Sequence, residues 1–196
     1  MKVQKRSLPM QENINAFMRV LDATDNSTGG GTASSVAGAM AAGLAAMVAR
    51  LSMDKTGLAP REYYQTIAEE AETLSAELFN GGREDAAAFD RVTEAYKMPR
   101  DTSAAKDLRV QAIQKAMKHA AEVPLSNAGR CRRVLELCRS LEKSFNTNAA
   151  SDLECAMYLA TAGLKGCAAN VRINLPYIKD ESACKDIEER LESIIG

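Results

Sequence analysis

Thr28-Gly29-Gly30-Gly31-Thr32, running on into Ala33-Ser34-Ser35-Val36-Ala37-Gly38-Ala39-Met40-Ala41-Ala42-Gly43-Leu44-Ala45-Ala46-Met47-Val48-Ala49, decides the fold. No charged residue stands between Asp25 and Arg50. Alanine is the strongest helix former, so the run predicts a helix over about 32–53. Gly38 and Gly43 each cost about 1 kcal/mol against Ala in a helix interior. Close backbone approach to neighbouring helices is the compensation that such small side chains offer. Ser34, Gly38 and Ala42 fall on one face, with Ala39 and Gly43 beside them. The helix is therefore expected at the buried centre of a helical protein.

The three glycines at its start admit two readings. They can be a tight structural entry to a buried helix. They can also let a ligand reach the first, unpaired backbone N–H groups, where the helix dipole places partial positive charge. The run is neither a Walker loop, lacking a following Gly-Lys-Ser/Thr, nor a dinucleotide fingerprint, lacking a preceding strand pattern.

Working outward, 196 residues suffice for one sizeable core, and a single domain over 1–196 is expected. Twenty-five Lys and Arg against 26 Asp and Glu leave a net charge of −1, with no basic excess for a nucleic-acid backbone and no polybasic run for a membrane surface. The start, Met1-Lys2-Val3-Gln4-Lys5-Arg6-Ser7-Leu8-Pro9, lacks the apolar run of a signal peptide. The apolar stretch 33–48 is short for a span and built mainly of Ala and Gly, which argues against a transmembrane helix. Cys131, Cys138, Cys155, Cys167 and Cys184 have no metal or disulfide spacing, and a reducing cytoplasm is the expected location.

Apolar periodicity supplies the other helices. An amphipathic helix is expected over 11–21, on Ile14, Phe17, Met18 and Leu21. The next starts at Pro60, buries Tyr63 or Tyr64, Ile67, Ala71, Leu74 and Leu78, and is expected to stop at Asn80-Gly81-Gly82. A short helix over 84–96 turns Phe89 and Val92 inward. Thr102 is a candidate N-cap for a helix ending before Pro124. Ser126 would cap another through Cys131, Val134, Leu135, Cys138 and Leu141. A long helix follows from Asn148 or Ser151 to about Asn174, and a charged helix over 181–195 closes the chain. No strand is expected; the class is all-α, a helical bundle around a buried Ala/Gly-rich helix.

Few residues carry catalytic potential. His119, the only histidine, has no nucleophile motif around it and reads as a surface or packing residue. No cluster has metal-ligand spacing. Asn148, Ser151 and Asp152 gather at a predicted helix start, as caps or as a site. Asn170 and Asn174 are four apart and share a face beside Val171 and Ile173, a costly arrangement if buried unpaired, which points to a partner or ligand. Arg172 points elsewhere, and Lys97 ends a helix.

These pieces stand in a familiar order. Gly29-Gly30-Gly31-Thr32 entering Val36-Ala37-Gly38-Ala39 and Met47-Val48-Ala49-Arg50-Leu51-Ser52 resembles the opening of the formiminotransferase-cyclodeaminase C-terminal family. Ala88-Phe89, Val92, Ala95-Tyr96-Lys97-Met98-Pro99, then Ala121-Glu122-Val123-Pro124-Leu125, Asn146-Thr147-Asn148-Ala149-Ala150-Ser151-Asp152 and Asn170-Val171-Arg172-Ile173-Asn174-Leu175 continue the likeness over about 11–178.

The resemblance implies a helical homodimer with sites near the subunit interface. It also implies a tetrahydrofolate derivative as partner and no cofactor beyond that substrate. The implied activity is hydrolysis of 5,10-methenyltetrahydrofolate, or release of ammonia from 5-formiminotetrahydrofolate; a non-catalytic folate-binding relative and a ligand-free helical module are the alternatives. On the same basis Asp152 would be the carboxylate near the reacting carbon, with Asn148 beside it. Gly29, Gly30 and Gly31 would admit the folate, Asn170 and Asn174 would orient the pterin edge, and Lys97 or Arg172 would meet the glutamate tail. The chain departs from the family pattern at Asn26, Ser27 and Thr28, at Phe145 and Thr147 in the turn before Asp152, and at Asp54-Lys55-Thr56 after the central helix.

Overall fold

A computed structural model describes residues 7–25 and 28–196, with side chains from residue 11 onward; Asn26 and Ser27 lie outside the described residues. The described chain is helical throughout: α1 Ser7–Val20, α2 Gly30–Ser52, α3 Arg61–Lys97, α4 Ser103–Leu141, α5 Ala150–Asn174 and α6 Glu181–Ile195. Short 3₁₀ turns at Thr147–Ala149 and Leu175–Tyr177 flank α5.

The Ala/Gly helix α2 is at the centre, packed against α3, α4 and α5. Ala41, Ala42, Ala45, Val48 and Ala49 are wholly buried. The expected close approach occurs at the α2–α5 crossing. A Cβ on Gly163 of α5 would stand 2.9 Å from the Ser34 carbonyl oxygen and 3.1 Å from the Gly38 nitrogen, both on α2. Gly38 in turn leaves room for the Cys131 sulfur and Leu78. Gly43 breaks the pattern: it is exposed, and an added Cβ would meet nothing closer than the Ser75 hydroxyl at 3.8 Å.

Two expected helix ends do not exist. The helix from Pro60 was expected to stop at Asn80-Gly81-Gly82, yet α3 runs unbroken through it for 37 residues. Gly81 serves proximity, since a side chain there would overlap the Asn127 amide, whereas a Cβ on Gly82 would meet Thr32 and Val36 only at ordinary contact distance. The other expected end lay before Pro124, with Ser126 as the next cap, yet α4 carries Pro124 in its interior across 39 residues. Proline has no N–H to give to the carbonyl four residues back, which here is Ala120. The Asn174 amide of α5 donates to that carbonyl at 2.9 Å and fills the gap.

The caps divide similarly. Thr102 accepts from the Ala105 N–H at 3.1 Å, as the sequence suggested. Neither Asn148 nor Ser151 caps α5; Asn146 accepts from the Asn148 N–H at 3.2 Å and caps the preceding 3₁₀ turn. Asn146 is itself held by Ser52 and by the Leu51 carbonyl at the far end of α2.

With 23 residues, α2 is much shorter than α3 or α4. One core cluster surrounds α2. A second, built from the ends of α3, α4 and α5 together with α6, contains no α2 residue. The long helices thus continue past the point where α2 begins, and the space beyond its N-terminus is where a cavity opens.

Candidate active site

That cavity holds about 360 Å³, within the range of small-molecule sites. Thr28 and Gly29 close one end; Asp85, Phe89 and Val92 come from α3, Met117 and Ala120 from α4, and Asn170, Ile173 and Asn174 from α5, with Tyr177 beyond. Phe89, Ile173 and Tyr177 are 49%, 64% and 56% exposed, so large apolar side chains rim the mouth. Phe89, expected inward, instead stands at this mouth, whereas Val92 is buried as expected.

The floor is polar. Gly29 caps α2 without a side-chain hydrogen bond of its own, and the cap comes from another helix. Asp85 accepts from the Thr32 hydroxyl at 3.0 Å, and the Thr32 backbone N–H also points to its carboxylate. The three glycines differ in purpose. A Cβ on Gly31 would overlap both the Asp85 carboxylate and the Asn170 amide, so this glycine lets those two groups close over the helix start. Among the described residues nothing lies within 4 Å of a Cβ on Gly29 or Gly30, and none of them requires a glycine there. The Thr28 hydroxyl oxygen is buried and has no hydrogen-bond partner among the described residues, which leaves it available to a ligand.

Asp85 is the carboxylic acid that lines the cavity. Burial pushes its carboxyl above the ordinary value, and the Thr32 hydroxyl and N–H pull only partly back. A carboxyl raised in this way, inside a cleft, is a candidate for proton transfer. Asp85 escaped the sequence reading because Arg83-Glu84-Asp85 resembles the acidic first turn of an ordinary helix. Only the continuation of α3 through Gly81 and Gly82 brings it beside Thr32, 53 residues away.

The sequence-derived candidates separate. Gly29, Asn170 and Asn174 line the cavity, with Gly30 and Gly31 immediately behind. The two amides are partnered: Asn174 donates to Ala120, to the Asn170 carbonyl at 2.9 Å and to the Asn170 side-chain oxygen at 3.2 Å. The Asn170 amide nitrogen is left facing Gly31 and Asp85. Asn148 and Asp152 are at the opposite end of α5; at 1.5 Å per residue, Asp152 lies about 27 Å from Asn170 along the helix, so within one subunit the two ends do not share a site. Lys97 is exposed at the C-terminal end of α3, about 18 Å along that helix from Asp85. Arg172 faces away and pairs with Glu192 at 3.2 Å. His119 is exposed and bonds Arg91 at 2.9 Å, in keeping with a surface role. Among the described residues no three His, Cys, Asp or Glu side chains gather closely enough to hold a metal ion.

The fold and this cavity define a helical small-molecule-binding domain in which a buried helix presents its N-terminus, and a half-buried carboxyl, to the ligand space. Comparison with known proteins makes this specific. The formiminotransferase-cyclodeaminase family model matches residues 13–193, and the chain belongs to that family. It is 34% identical over 186 residues to the methenyltetrahydrofolate cyclohydrolase of Methylorubrum extorquens, across 94% of this chain and 88% of that protein. The formimidoyltransferase-cyclodeaminase of Sus scrofa is 26% identical over 187 residues, 95% of this chain but only 35% of that longer protein. A crystal structure titled formiminotetrahydrofolate cyclodeaminase, from Thermotoga maritima, matches with a TM-score of 0.79 at 32% identity, covering 89% of this chain and 83% of that one.

Proposed function

We propose that this chain is a folate one-carbon enzyme that hydrolyses 5,10-methenyltetrahydrofolate to 10-formyltetrahydrofolate, with Asp85 as its proton-transfer group. The likeness to the Methylorubrum cyclohydrolase over nearly the full length of both chains supports the activity. The observation that carries the assignment of the site is the half-buried Asp85 carboxyl at the floor of the cavity, beside the Asn170 amide and the start of α2.

The reacting carbon bridges two folate nitrogens and is cationic. Water attacks it while the Asp85 carboxylate accepts a proton from the water, giving a neutral carbinol. Asp85 then returns the proton to N5 as the N5–C bond breaks, and loss of the hydroxyl proton leaves the formyl group on N10. Before attack, the carboxylate also stabilises the cation. The carbon keeps its oxidation level, so the reaction asks for no redox cofactor. Asn170 and the Thr28 hydroxyl would bond the polar pterin edge, and Phe89 and Tyr177 would cover its ring faces at the mouth. Cyclodeamination is the second reading, favoured by the Thermotoga match: N10 attacks the formimino carbon and ammonia leaves from it, which needs proton transfer at the same place.

The finer assembly reading is a homodimer formed through the outer face of α2. Met40, Met47 and Leu51 are exposed there around a groove of about 820 Å³ shared with Phe17 and Phe79. Gly43 lies in its floor, and no contact among the described residues requires it to lack a side chain, which suits a helix of a second copy crossing close above it.

The experiment is loss of the methenyltetrahydrofolate chromophore at neutral pH, with spontaneous hydrolysis as baseline. Asp85→Asn is expected to abolish the protein-dependent acceleration, while Asp152→Asn keeps it. An Asp85→Asn protein with full turnover, or an Asp152→Asn protein without any, would transfer the chemistry to the other end of α5. Ammonia release from formiminotetrahydrofolate, run in parallel, separates the two reactions.

A further inference from the structure

The Thr32 hydroxyl is in a position that one hydrogen atom cannot satisfy in a single way. Its oxygen is 3.0 Å from Asp85 Oδ2 and 3.2 Å from the Gly82 carbonyl oxygen. A threonine hydroxyl donates once, and both of these neighbours accept. Thr32 is wholly buried, so water does not supply an alternative partner. The three groups are held together by backbone proximity: Gly82 and Asp85 are three apart on one face of α3, and a Cβ on Gly82 would already stand 3.4 Å from the Thr32 carbonyl oxygen.

The direction of that one bond must depend on the charge of Asp85. When Asp85 is a carboxylate, the hydroxyl donates to it, because a bond to an ionised acceptor is stronger than one to a carbonyl. When Asp85 is protonated, its own O–H can donate to the threonine oxygen, and the threonine hydrogen is free to turn to Gly82. We propose that Thr32 is the positioning residue that sets the proton affinity of Asp85, by turning its single hydroxyl hydrogen between the Gly82 carbonyl and the Asp85 carboxylate as that group gains and loses a proton. The threonine proton never leaves its oxygen, and both protonation states of the acid find the pair fully bonded. A group that must take a proton from water and then give it to nitrogen benefits from an environment satisfied in both states. This step rests on the reading of Asp85 as the proton-transfer group, while its structural content does not.

Among the described residues no charged neighbour competes for this role. Of the elements around the cavity, α2 has no ionisable residue before Arg50, and α4 contributes Met117 and Ala120. The buried Cys167 thiol of α5 is held far above its ordinary range, chiefly by its hydrogen bond with Cys131 and by burial. Tyr177 stands at the rim beyond α5. On α3 itself Arg83 is bonded to Glu12 and Asn80, and Glu84 accepts from Asn80.

The test is a carbonyl- and carboxyl-carbon NMR titration of the ligand-free protein, with a parallel pH profile of kcat/KM for chromophore loss. In the wild type the Gly82 carbonyl is expected to titrate with the same midpoint as the Asp85 carboxyl; an invariant Gly82 signal across that midpoint overturns the proposal without any variant. Thr32→Val, which removes the donor, is expected to raise the Asp85 midpoint and the acid limb of the profile by about one pH unit, tenfold in proton affinity. Thr32→Ser is expected to restore both. A folded Thr32→Val protein with an unmoved Asp85 midpoint overturns the proposal. Since the carbon signals are read without substrate, a wild type that titrates as described but turns over no folate would refute the proposed function and leave the Thr32 coupling standing.

Discussion

Asn174 and Pro124 form a pair whose coupling can be measured. Pro124 sits inside α4 and leaves the Ala120 carbonyl without its helical donor, and the Asn174 amide takes that place at 2.9 Å. Asn174→Ala removes the donor and leaves a nearly buried carbonyl unsatisfied, a cost of about 1–3 kcal/mol, at the lower end where cavity water reaches it. For a chain of this length each kcal/mol shifts Tm by about 2–4 °C. In a Pro124→Ala background, residue 124 regains an N–H that can bond Ala120 within the helix. There the same Asn174→Ala substitution is expected to cost about 1 kcal/mol less, a coupling in the ordinary range for residues that share a partner. The assay is urea unfolding of all four proteins, completing a double-mutant cycle. Equal losses in both backgrounds would refute the reasoning and assign Asn174 to its bonds with Asn170 alone.

Gly29→Ala is expected to leave Tm nearly unchanged while raising KM for the folate, because the new methyl enters open space at the cavity wall; Gly31→Ala is expected to lower both Tm and activity, because it collides with Asp85 and Asn170. Identical behaviour of the two variants in melting and kinetics would contradict that distinction. The raised Asp85 carboxyl binds its proton more tightly in the folded than in the unfolded state, so its contribution to stability is full below the ordinary Asp range and is lost as pH rises through the folded value. The melting temperature of Asp85→Asn relative to wild type should therefore increase with pH across that window and level off above it; a wild-type advantage that grows with pH would count against the burial argument. If the proposed homodimer forms, the wild type is expected to sediment as a dimer and Met47→Glu on the outer face of α2 as a folded monomer, and an unchanged sedimentation coefficient would sink the proposed interface.

Pattern along the chain was enough for the helical class and for the central position of α2, because amphipathic periodicity and a long run of small residues are local properties that packing had no reason to override. The order of short motifs also identified the family. Asn170 and Asn174 were legible as odd polar residues on an apolar face, and both do reach the cavity. Helix ends were another matter. Gly81-Gly82 and Pro124 are local stop signals, and they were overruled by contacts from outside their own helices. Asn127 needs the space beside Gly81, and Asn174 supplies the bond that the proline cannot.

The same tertiary contacts decided where the cavity is. Asp85 became a half-buried carboxyl over the start of α2 only because α3 continues past Gly82. Asp152 and Asn148, adjacent in sequence to a promising helix start, were carried to the far end of α5 by the length of that helix. Sequence alone determined what kinds of side chain are present and which helical face each occupies. Which of them meet depends on the lengths and crossings of whole helices, fixed by the close approach of glycines to backbones and amides tens of residues away.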